Sequence, residues 1–226
     1  MKKLLLIGAM LCALCSCGSS SSKKALTGTH EGQEWVDLGL PSGLKWATCN
    51  LGAENPEDFG VHYVWKGCQS LYCSCRQYGG YSSYLGSQIR SSIGTDDTAT
   101  SEWGGNWRMP TKEECQELLD NCTWEWTTQN ETMGYKVTGP NGQSIFLPAA
   151  GTHGYSYGCS VERNMETGRY WSSSPAERAM EGACAYGLDF RKVGYVCGDE
   201  TTWEREYGVK SCLVDLASSV RPVLAD

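Results

Sequence analysis

Apolar Cys115, Leu118, Leu119 and Cys122 recur at i, i+3, i+4 and i+7, against polar Lys112, Glu113, Gln116, Glu117 and Asp120. That spacing predicts one amphipathic helix. Its start is marked by a capping box: Thr111 and, three residues on, Glu114 each satisfy a backbone N–H the helix leaves unpaired. Pro110 stops backward extension. Elsewhere the apolar positions come in short alternating runs, which predict strands. Residues 34–38 and 44–49 flank Pro41-Ser42-Gly43 and read as an opening hairpin, and 61–65 alternates again. Residues 134–138 and 143–147 flank Gly139-Pro140-Asn141-Gly142, a second hairpin with Pro and Gly where a tight turn wants them. Residues 169–174 read as a strand closed by Pro175. Cys184, Tyr186, Leu188 and Phe190 alternate with small or polar neighbours, 193–197 follows after a turn, and 219–223 closes the chain. A short helix is expected over 95–100, capped by Thr95. Loops are expected at 50–60, 66–94, 152–166 and 198–210. No repeat and no second core divides the chain, so one domain is expected.

The N-terminus changes the picture of where this domain works. Met1-Lys2-Lys3 and the apolar run 4–14 read as a signal peptide, too short to span a bilayer permanently. Leu14-Cys15-Ser16-Cys17 looks like a bacterial lipobox. On that reading residues 1–16 are removed, Cys17 carries the lipid, and 17–31 is a flexible tether to a domain over 32–226. The alternative is a plain secretory signal with an accidental cysteine. No later run is apolar enough to span a membrane, so lipid alone would hold the protein there.

Without Lys2 and Lys3, 17 basic side chains face 26 acidic ones, a balance opposite to what a phosphate backbone needs, so nucleic acid is not an expected partner. Nine Trp and twelve Tyr against three Phe favour sites half buried and half wet.

Ten cysteines follow Cys17: Cys49, Cys68, Cys73, Cys75, Cys115, Cys122, Cys159, Cys184, Cys197 and Cys212. An exported compartment permits disulfides, but spacing does not fix their pairing. Cys68-x4-Cys73-x-Cys75 fits no common zinc knuckle and has no His nearby, so no metal site is expected. His30, His62 and His153 occupy no recognisable nucleophile setting, with His30 expected to be solvated beside the tether. Glu113-Glu114 and Asp96-Asp97 are explained by helix-start chemistry. No catalytic residue and no cofactor is therefore assigned.

The ordered blocks carry a resemblance. Residues 34–52 (Glu34-Trp35-Val36-Asp37-Leu38 through Leu51-Gly52), 103–119, 144–151, Tyr170-Trp171-Ser172-Ser173-Ser174 and Ser219-Val220-Arg221-Pro222-Val223 resemble, in the same order, the Fibrobacter succinogenes major paralogous domain of Bacteroidetes lipoproteins. The resemblance spans roughly 32–223. It implies an α+β, C-type-lectin-like fold of two short helices, irregular antiparallel sheets and long loops, found in extracellular binding proteins. The segment between Ser174 and Ser219 departs from the family's Asn/Tyr/Ser/Gly-rich pattern. Some lectin-like proteins of this sort have that segment rewritten by diversity-generating retroelements, which would leave such an off-pattern tail. Relatives of the fold that activate sulfatases use a cysteine pair, and Cys184, Cys197 and Cys212 show no matching motif. Lectin-type Glu-Pro-Asn and Trp-Asn-Asp triplets are missing, so a calcium-independent site is expected.

Within the departing segment, Tyr186, Arg191, Tyr195, Trp203, Arg205 and Tyr207 mix aromatic faces with guanidinium groups, the chemistry of binding hot spots and sugar stacking. Half of them would otherwise complete a Trp/Tyr-rich core. The expectation is an outer-membrane lipoprotein, facing the cell surface or the periplasm, that binds a glycan or protein ligand through C-terminal loops. The alternative is a structural or assembly protein of the envelope, such as a pilus-associated subunit, with an enzyme third.

Overall fold

The structure, a computed structural model, describes residues 26–65, 88–91, 97–154, 160–162, 166–179, 182–197, 200–213 and 217–225. The leader, Cys17, Thr95, Cys68, Cys73, Cys75, Cys159 and most of the expected loop 66–94 lie outside the described residues. What is described is an α+β fold of two helices and mostly antiparallel sheets.

The opening hairpin forms as β2 (Gln33–Asp37) against β3 (Lys45–Ala47). It begins earlier than expected: β1 (Thr27–His30) pairs antiparallel with β2, so these residues are sheet and not tether. Their polar alternation is too short to announce a strand, and the partner supplies the order. Strand β16 (Val223–Leu224) joins β3 to β6 (Trp107–Arg108), closing a five-stranded sheet. A second five-stranded sheet contains β4 (Val61–Val64), β5 (Gln88–Ser91), β15 (Ala217–Ser218), and a hairpin of β10 (Thr152–Gly154) and β11 (Ser160–Glu162) where a loop was expected. The expected closing strand 219–223 largely does not form: β15 ends just before it, Ser219 makes a single bridge to Tyr170, and only Val223 lies in a strand, β16.

Helix α1 (Thr98–Trp103) is capped by Asp97, not Thr95. The Asp97 carboxylate accepts from the N–H of Ala99 and Thr100 and also from that of Met109, so one side chain ties the helix start to the residue just after β6. Helix α2 (Lys112–Asn121) has both arms of the capping box: Glu114 N–H donates to Thr111 Oγ1 at 3.2 Å and Thr111 N–H to Glu114 Oε2 at 2.8 Å. Arg108 clamps the same carboxylate through both terminal nitrogens, at 2.7 and 2.5 Å. Cys115 and Leu118 are buried and Leu119 and Cys122 pack partly against the same core, as the spacing predicts.

The chain then forms a meander of β7 (Thr123–Gln129), β8 (Thr132–Thr138) and β9 (Ser144–Pro148). Its second hairpin is the expected one; β7 is an addition. A three-stranded sheet completes the fold: β12 (Gly168–Ala179), β13 (Gly182–Cys197) and β14 (Glu200–Leu213). Here three expectations fail. Pro175 does not end β12; it sits exposed inside it, where the register with β13 shifts, which is how a strand tolerates a residue lacking its N–H. Residues 184–197 are one strand. The polar segment 198–210, expected as a loop, is mostly β14, in unbroken register with β13 from Cys184–Leu213 to Cys197–Glu200.

One core cluster lies between α2, the meander and the three-stranded sheet, and includes Leu118, Tyr135, Leu147, Leu188 and Phe190. A second gathers Leu51, Tyr63, Met109, Trp171, Ala185 and Val220, and a third joins Ala47, Trp107 and Leu224. Between the elements sits Arg221, 1 % exposed. Its guanidinium donates to Asn50 Oδ1 at 2.9 Å and to the carbonyls of Ala47, Thr48 and Phe146 at 3.2, 2.6 and 2.8 Å. It thereby spans the opening hairpin, the meander and the C-terminus. Burial pulls its pKa down.

Candidate functional site

An aromatic stair runs from the core to the surface at the outer edge of the three-stranded sheet. Its buried foot is Tyr135 and Phe190, edge to face with centroids 5.1 Å apart. A Cβ at Gly168 would collide with the Phe190 ring, so glycine there lets the ring seat. Trp126 and Trp124, alternate residues of β7 and half-buried, each present an edge contact to Tyr135 at 5.1 and 5.5 Å. The top step is Tyr207, opposite Phe190 in the β13–β14 register. Its ring lies on Trp124 at 5.2 Å and 12°, nearly parallel, while the residue stays 46 % exposed. A large side chain this exposed normally moves freely; stacked, it is a fixed flat surface already ordered before any ligand arrives.

Why these residues meet follows from the chain. The α2 C-terminus leads straight into β7, and Trp124 Nε1–H donates back to Leu118 O at 3.4 Å. The unbroken hairpin then carries Tyr207 across to it. Near the other end of α2, Lys112 Nζ sits 4.1 Å over the Tyr186 ring, a cation–π contact that leaves Tyr186 half-buried.

Of the six residues expected to bind a ligand, Tyr207 is displayed and Tyr186 is half covered. Arg191 is exposed but engaged: it donates to Glu206 at 3.3 Å, and Lys210 meets the same carboxylate at 3.1 Å. Tyr195, Trp203 and Arg205 lie in the backbone of the hairpin, opposite Thr202, Gly194 and Lys192; their side chains lie outside the described residues. All six therefore belong to strands, not to loops. Positions 203, 205 and 207 alternate along one strand, whereas Arg191 pairs with Glu206 in the other phase. The sequence reading missed Trp124. Its signal was present in Trp124-Glu125-Trp126, an alternation of large aromatics immediately after a helix end.

The other candidate groups among the described residues are held in place by burial or by hydrogen bonds. Burial pushes the thiols of Cys122 and Cys212 up to about 11, and raises those of Cys49 and Cys115 as well, so these cysteines are not thiolates near neutral pH. His30, expected to be solvated, accepts from Asn106 N–H through Nε2 at 3.3 Å, and its carbonyl accepts from Trp107 Nε1–H at 3.0 Å. His62 is buried in β4, and the His153 side chain lies outside the described residues. Among the described residues no group of three or more His, Cys, Asp or Glu could hold a metal ion, and no helix is long and apolar enough to cross a membrane. No family model, no curated protein and no solved structure matches this chain.

Proposed function

We propose that this chain is a lipid-anchored extracytoplasmic binding protein with a C-type-lectin-like domain, and that it recognises a glycan or protein ligand at the face crowned by Tyr207. The ordered blocks that resemble the Fibrobacter succinogenes major paralogous domain support the family reading, and the lipobox-like Leu14-Cys15-Ser16-Cys17 supports the anchor. The observation that carries the binding reading is Tyr207: 46 % exposed, yet held flat on Trp124. An exposed ring pre-ordered by stacking loses little entropy on contact, and its free face suits a sugar's C–H surface or an apolar side chain. Catalysis is not part of the reading, and no metal is invoked.

The test is a glycan-array and protein-binding screen, with and without chelator, followed by titration of any hit against Tyr207→Ala. Loss of about tenfold or more in affinity, with the melting temperature little changed, is expected. Unchanged affinity of the variant for every hit would refute the site. A second reading, an envelope assembly protein, is favoured by a different observation: β14 has no strand on its outer side among the described residues.

A further inference from the structure

We propose that β14 pairs antiparallel with β14 of a second copy of this chain, about a two-fold axis at Gly208. The joint shares Tyr207 with the proposed ligand face, but the pairing rests on the strand edge and its charges and stands whether or not that face binds a ligand. The strand is fourteen residues long, lies at the edge of its sheet, and has its regular partner on one side only among the described residues. Such an edge extends about 45 Å and presents unused N–H and C=O groups to a further strand.

Charge selects the occupant. Glu206 and Lys210 touch one another at 3.1 Å, reaching over Gly208, so both lie on one face. A two-fold at position 208 sets residue 206 opposite the second copy's 210, and 210 opposite its 206. Two Glu–Lys contacts then form across the joint, and the pairing is self-complementary, as an isologous interface requires. Centring the joint on position 206 would instead oppose Glu206 with its own copy. At the axis, Gly208 carries no side chain, and open space surrounds the place a Cβ would occupy. The flanking pair is Tyr207 opposite Val209, an aromatic against a β-branched residue. Toward an unrelated edge the same charges act as guards; toward a second copy they match. The dimer would bring two Tyr207 shelves close together, giving a bivalent ligand a second contact without new chemistry.

The experiment is sedimentation equilibrium of the full chain in density-matched non-ionic detergent, for the native sequence, for Lys210→Glu, for Glu206→Lys, and for the two variants mixed. The native chain is expected to be dimeric at micromolar concentration. Each variant alone should dissociate, with Kd raised about tenfold or more by two like-charge contacts. The equimolar mixture should regain the dimer mass, because every cross-joint contact is again Glu to Lys; the intrachain pair cannot produce that rescue. A native chain that is monomeric at about 100 μM, variants that dimerise as well as the native chain, or a mixture that stays monomeric would each overturn the proposal. Hydrogen exchange on the unaltered chain decides the matter if a variant fails to fold. The outward-facing amides among 204–212, those not bonded to β13, should lose protection on dilution, and protection of these independent of concentration would overturn the pairing.

Discussion

Two regions of this molecule hold charge in opposite ways. Arg221 is fully enclosed and has only neutral oxygens as described partners, one from Asn50 and three from the backbone. On the β13–β14 ribbon, Arg191, Glu206 and Lys210 reach the solvent in part and meet ions of opposite sign. The enclosed group is the stronger structural element although it forms no ion pair among the described residues. Its hydrogen bonds replace water that cannot reach it, and they serve carbonyls that are themselves buried, at Ala47 and Phe146, or partly so, at Thr48. The exposed triad trades one set of solvated contacts for another, so it contributes little to stability and remains available for other work.

Removing Arg221 tests this contrast most severely. Arg221→Met keeps most of the volume and strands the carbonyls of Ala47, Thr48 and Phe146 together with Asn50. A loss of about 3–5 kcal/mol is expected in a denaturant titration. A loss under about 1 kcal/mol would mean that water takes over the guanidinium's role, and the distinction between the regions would collapse.

Glu114 is intermediate, partly buried and paired to Arg108. Burial opposes its charged form, but the hydrogen bonds from Arg108 and Thr111 outweigh that and hold its carboxyl below the ordinary value of 4.5. A depressed folded-state pKa gives stability that is present above the unfolded value and lost as pH falls through the folded one. Glu114→Gln should therefore cost about 1–2 kcal/mol at pH 7. The gap to the native chain should close as pH drops below about 4.5. Parallel stability curves from pH 7 to pH 3 would show that the pair's charge does not matter.

The same contrast explains what the sequence disclosed. The α2 capping box, its apolar face and the 134–147 hairpin are written within a few residues of where they act, and each was legible. The β14 strand was not, because Glu204-Arg205-Glu206 carries no apolar alternation; its order comes from fourteen pairings with β13, a partner chosen by the whole fold. Pro175 misled for a related reason, since a register shift against β13 absorbs it. Of the candidate site, the type of residue was readable and its support was not. Tyr207 was chosen for its chemistry, but the ring that steadies it, Trp124, lies eighty-three positions away and meets it only in three dimensions. Arg221 sits in the closing Ser219-Val220-Arg221-Pro222-Val223 block, with nothing local to show that it is enclosed.

The smallest expected effect is the most discriminating. Glu206→Gln removes a carboxylate that is about one-third exposed from contact with two cations, Arg191 and Lys210. Measured below the concentration at which copies associate, it should shift folding stability by less than about 0.5 kcal/mol, and half-molar salt should erase even that. The reason is that both cations re-solvate at little cost, whereas nothing near Arg221 can. Repeating the measurement at high protein concentration separates two uses of one side chain. If the ribbon's charges serve association, the native chain gains stability with concentration by mass action and the glutamine variant gains less. An effect above about 1 kcal/mol in the dilute sample would instead place Glu206 beside Arg221 as part of the framework, and the ribbon would lose its claim to be the free surface of this molecule.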